Sequence, residues 1–125
     1  MNNTKYNEIL NLFTESFDNG TNCLYYFNDK SIPRGFGKTS ILNEIGLIAQ
    51  SQGMEVLAWS LSNGTIHIAT ERIVMANDLR GHKVENTILL IDGVNVKDET
   101  NAKMVEHLRS KGMQMFGFIR YGKLR

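Results

Sequence analysis

The residues with the clearest chemical potential run Ile32-Pro33-Arg34-Gly35-Phe36-Gly37-Lys38-Thr39-Ser40, between an apolar run and a helical pattern. Gly35 and Gly37 permit backbone conformations that turn successive N–H groups toward one centre, a nest for an anion. A helix starting near Lys38 adds unpaired N–H groups and the positive end of its dipole. The Lys38 ammonium can reach terminal phosphates, and the Thr39 hydroxyl can bind a Mg²⁺ that bridges phosphate oxygens. The candidate phosphate-contacting set is therefore Arg34, Gly35, Phe36, Gly37, Lys38, Thr39 and Ser40. Asp92 is the second candidate. It follows Ile88-Leu89-Leu90-Ile91, where a carboxylate reaches the carboxyl edge of a parallel sheet. There it can hold Mg²⁺, usually through water, together with Thr39. The plainer alternatives are a βα turn with a chance Gly-Lys-Thr, and an Asp-Gly turn closing a strand.

These residues need strands and helices to place them. Residues 4–17 read as an amphipathic helix, with Tyr6, Ile9, Leu10, Phe13 and Phe17 on one core-facing side and Asn19-Gly20 as its end. Cys23-Leu24-Tyr25-Tyr26-Phe27 reads as a strand buried on both faces. Residues 38–51 form a second helix, with Ile41, Leu42, Ile45 and Ile48 inward and Gly53 as its stop. Glu55 to Leu61 is a second buried strand, which completes a βαβ unit. Thr65 to Ala76 is compatible with a strand or a helix. Thr87 to Ile91 is the clearest strand, and Asp92-Gly93 is expected to break it. A helix over 99–111 and a strand over 115–119 follow. Strands alternating with helices point to an α/β fold of three layers, a mainly parallel sheet of about five strands flanked by helices.

The bulk numbers agree with one soluble domain over 1–125, an N-terminal helix within 1–20 and a core over 23–119. Hydrophobic residues make up 42% and charged residues 22% of the 125, which argues against disorder. No apolar run approaches the ~20 residues of a membrane helix, and the N-terminus lacks a signal-peptide pattern. The single cysteine, Cys23, cannot form an internal disulfide. It is expected to be a small buried apolar residue, in keeping with a reducing, cytoplasmic setting. Net charge is +1, so nothing draws the whole chain toward nucleic acid. After Glu106, however, Arg109, Lys111, Arg120, Lys123 and Arg125 occur with no acid among them. That cluster suits a solubilising end or a nucleic-acid contact. His67, His82 and His107 have no metal-ligand spacing with one another or with Cys23. Arg80 and Arg120 could meet phosphate or a subunit interface, although such arginines are more often surface residues.

Taken together, Pro33 to Thr39 and Ile88 to Asp92 resemble the P-loop NTPases, and within them the ATPase domains of helicases and phage terminase large subunits. Pro33-Arg34-Gly35-Phe36-Gly37-Lys38-Thr39 looks like their shortened Walker A loop. Leu79-Arg80-Gly81 before Ile88-Leu89-Leu90-Ile91-Asp92 looks like the run into Walker B. The resemblance implies binding of ATP, or GTP, with Mg²⁺. It also implies a phage or mobile-element origin, a place in the host cytoplasm, and DNA or a protein as partner. Two departures stand out. Ile32 replaces the first glycine of G-x-x-x-x-G-K-[ST]. Gly93 stands where those families carry a glutamate that orients the attacking water. Nucleotide binding with weak or no hydrolysis is the expected function, and the rival is a non-enzymatic interaction or anti-defence module on a retained scaffold.

Overall fold

The computed structural model describes residues 4–28, 30–32, 36–60 and 79–121. Three helices and four strands follow in the order α1 (Thr4–Asn19), β1 (Cys23–Phe27), α2 (Lys38–Ser51), β2 (Glu55–Ser60), β3 (Thr87–Asn95), α3 (Glu99–Lys111) and β4 (Gln114–Arg120). The strands form one parallel sheet in the spatial order β1-β4-β3-β2. The protein is thus α/β, and its described part has four strands against the five or so expected. The stretch Thr65–Ala76, left open between strand and helix, lies outside the described residues.

Alternation along the strands supplies two apolar faces. On one, Val56 and Ala58, Ile88 and Leu90, Phe116 and Phe118 meet the inward residues of α1 and α2. Phe13 of α1 stacks on Phe118 with centroids 5.3 Å apart, and Phe17 lies 5.9 Å from Phe116. On the other, Leu57, Leu89, Ile91 and Met115 meet Met104, Val105 and Leu108 of α3. Helices therefore cover both faces, as a three-layer arrangement requires. The close approach of β4 to β3 depends on Gly117. A Cβ there would strike the Ile91 carbonyl and come within 2.8 Å of the Ile91 Cβ.

Three expectations need correction. The first concerns Asp92-Gly93, which does not end β3; the strand continues to Asn95. A register shift between Asp92 and Val94 absorbs Gly93 as a bulge, and its φ of +78° explains the glycine. The second concerns β1, which pairs only with β4 among the described strands and is not buried on both faces. Tyr26 is 46% exposed, and only Phe27 is fully covered. Cys23, third, is for the same reason partly rather than wholly buried. Burial raises its thiol pKa, partly offset by a hydrogen bond with Ser16.

Candidate functional site

The strand order determines where the loops diverge. The chain leaves β1 for α2 on one face of the sheet, and leaves β3 for α3 on the other. β4 lies between them, so the loops part above its carboxyl end. Ligands of open α/β sheets bind in a crevice of this type. In register at that edge are Phe27 of β1, Arg120 of β4 and Asn95 of β3.

Before the loop, Asn28 makes a tight turn. Its side-chain oxygen accepts from the N–H groups of Lys30 and Ser31, each at 3.0 Å. Ile32 follows with no exposed surface, packed in the α1/α2 core. The residue that departs from the glycine pattern therefore has a structural role of its own, anchoring the loop's entrance. Arg34 and Gly35 lie outside the described residues. Gly37 is the N-cap of α2, with φ +106° and ψ 25°. A left-handed cap of this kind is open to glycine, and it has no side chain to cap the N–H groups that follow. The first turn of α2, Lys38-Thr39-Ser40, is thus an anion-attracting helix terminus.

The side chains of that turn go to different places. Thr39 donates a hydrogen bond of 2.9 Å to the Asp92 carboxylate, across the sheet edge from α2 to β3. Lys38 Nζ sits 5.0 Å from the centroid of the Phe27 ring, and the Arg120 guanidinium 4.9 Å from it. Two cations thus share one buried ring beside the crevice. Ser40 is exposed and shares a hydrogen bond of 2.8 Å with the Tyr6 hydroxyl of α1. Phe36, partly buried, has its ring 6.0 Å from that of Tyr6.

No protein-family model matches the chain, and no curated protein matches it. The site must therefore be read from its own chemistry. Thr39 and Asp92 offer adjacent hard oxygens, the donor type that Mg²⁺ prefers. Among the described residues no three His, Cys, Asp or Glu side chains converge.

Other sequence candidates fall elsewhere. Asp98, close behind β3, is the N-cap of α3, and its carboxylate accepts from the Thr100 and Asn101 N–H groups. The Arg80 carbonyl accepts from Lys111 Nζ at 2.7 Å. That holds its backbone beside the C-terminal end of α3, away from the Asp92 edge. Tyr6 was legible only as a core-facing helix residue. Its contact with Ser40 spans 34 positions, and no local pattern announces it. No helix among the described residues is long and apolar enough to cross a membrane.

Proposed function

We propose that the chain binds a nucleoside triphosphate, ATP in preference to GTP, with Mg²⁺ and with weak or no hydrolysis. The single observation that carries this reading is the 2.9 Å contact of Thr39 with Asp92. It joins the two residues that the sequence pattern offers together as a metal-binding pair. The open α2 terminus supports a phosphate beside them, and Lys38 supplies the counter-charge. Held by Thr39 and Asp92, Mg²⁺ would supply positive charge to offset that of the phosphates. The protein's own share is to hold the anion on backbone N–H groups and keep Thr39 and Asp92 together. The resemblance to terminase and helicase ATPase domains supplies the preference for ATP, the phage link and the tie to DNA.

A second reading is favoured by Gly93. Its positive φ within a bulge suits a backbone device better than a catalytic carboxylate. On that reading the scaffold serves a non-enzymatic interaction with a protein or nucleic acid. Calorimetry with Mg·ATP and Mg·GTP separates the two readings. Nucleotide binding by the wild type, with Lys38→Ala weaker by about 1.5–3 kcal/mol, the range of a charge-assisted hydrogen bond, supports the first. Equal affinity of mutant and wild type removes it.

A further inference from the structure

The first turn of α1 is built against the phosphate loop. Lys5 Nζ donates to the Ser31 carbonyl at 2.8 Å, and the Tyr6 hydroxyl meets Ser40 Oγ at 2.8 Å. The Tyr6 ring lies so close to Gly37 that a Cβ there would come within 2.8 Å of Tyr6 Cε2. Phe36 stands beside it, the two planes tilted by 46°. Both rings pack at the margin of the α1/α2 core and are partly exposed, so neither is used up as interior filling.

Successive helix residues point about 100° apart. Thr39 is turned toward β3 and Asp92, and Ser40 toward α1 and Tyr6. The α2 terminus thus has a hard-oxygen side and an aromatic side. A polyphosphate whose metal-bound end lies at Thr39 and Asp92 would have its other end on the side of Ser40, where the described residues include the two rings and a hydroxyl pair. The flat faces of the rings suit a base, whereas a bare anion would find only the Tyr6 and Ser40 hydroxyls there.

We propose that Tyr6 and Phe36 receive the base of the bound nucleotide, so that the site selects a nucleoside triphosphate over inorganic polyphosphate. This rests on the phosphate-site reading above. Tyr6 then joins the N-terminal helix to ligand recognition, with Lys5 holding the turn in place.

The test compares Mg·ATP with Mg·tripolyphosphate by calorimetry on the wild type, Tyr6→Ala and Tyr6→Phe. The wild type should favour ATP by about tenfold, the size of one base–aromatic stacking contact. Tyr6→Ala should lose that preference, weakening ATP about tenfold and tripolyphosphate by no more than about twofold, while Tyr6→Phe keeps it. If Tyr6→Ala loses its helical circular dichroism, Phe36→Leu carries the same comparison. Equal binding of both ligands by the wild type overturns the base-side proposal and leaves the phosphate reading standing. So does an equal loss of both ligands in Tyr6→Ala, which would make Tyr6 a prop for the loop. Binding of neither ligand by the wild type overturns both.

Discussion

Thr39 and Asp92 are 53 positions apart in the chain, and a 2.9 Å hydrogen bond joins them at the carboxyl edge of the sheet. If they serve one cation, they should behave as one unit. Asp92→Ala is expected to reduce the Mg²⁺ dependence of ATP binding, and Thr39→Ala to do the same. The double mutant should be little worse than the poorer single mutant, because neighbours sharing a partner are non-additive. Titrations with and without Mg²⁺ measure this. Unchanged Mg²⁺ dependence in Asp92→Ala would reduce Asp92 to a strand residue satisfying a hydroxyl.

Hydrolysis should be slow. A water attacking a γ-phosphate needs a group to orient it and take its proton. Gly93 brings no side chain, and Asp98 is committed to capping α3. Turnover by the purified chain is expected at or below ~10⁻³ s⁻¹, as for P-loop proteins without a completed site. A phosphate-release assay giving a rate near ~1 s⁻¹, the range of completed sites, would contradict this. Gly93→Glu has room for its Cβ but must adopt a φ of +78°. It should therefore lower stability by about 1 kcal/mol, whatever it does for the rate.

Gly117→Ala should be among the most damaging single substitutions. The new methyl group meets the Ile91 backbone, which cannot give without moving β3. A loss of about 3 kcal/mol or more is expected in urea unfolding, at the top of the range for overpacking. Gly81→Ala is the control. Nothing lies within 4 Å of its Cβ, and the change should stay within about 0.5 kcal/mol, as at ordinary surface positions.

Cys23 supplies a pH dependence. Burial raises its thiol pKa in the folded chain above the unfolded value, so folding favours the neutral form. The associated stability is fully present below the unfolded thiol pKa and falls as pH rises through the higher, folded one. Chemical denaturation from neutral to alkaline pH should show this decline in the wild type, and Cys23→Ala should lack it. Alkylation of native Cys23 near neutral pH should also be slower than in urea, because the thiolate is the nucleophile.

Local patterns carried most of the elements. Helix α3 lies where the periodicity from Glu99 to Lys111 and the Gly112 stop place it, and Gly53 ends the α2 region as glycine chemistry predicts. The meeting of Thr39 with Asp92 was expected from loop and strand context. What stayed hidden depended on contacts far apart in the chain. The exposure of β1 follows from its place in the spatial strand order, which no run of residues encodes. Asp92-Gly93 reads as a strand-ending turn until β4 is seen pairing on both sides of Gly93. Ile32 resembled a defect in a glycine pattern because its burial is created by α1 and α2.

The strand order also has a consequence for how the protein comes into being. β4 is the last of the described strands to leave the ribosome, yet it lies in the interior of the sheet, between β1 and β3. Until it inserts, β1 has no partner among these strands, and the β2–β3 pair has an open flank. Helix α2, which carries Lys38 and Thr39, packs on β2 and β3, so Thr39 and Asp92 belong to a part of the fold that can form before β4 arrives. Pairings of this long range are slow to form, and they leave strand flanks bare in the meantime. The nascent chain therefore cannot close its four-stranded sheet until β4 has emerged, and β1 is the strand that waits longest for its partner.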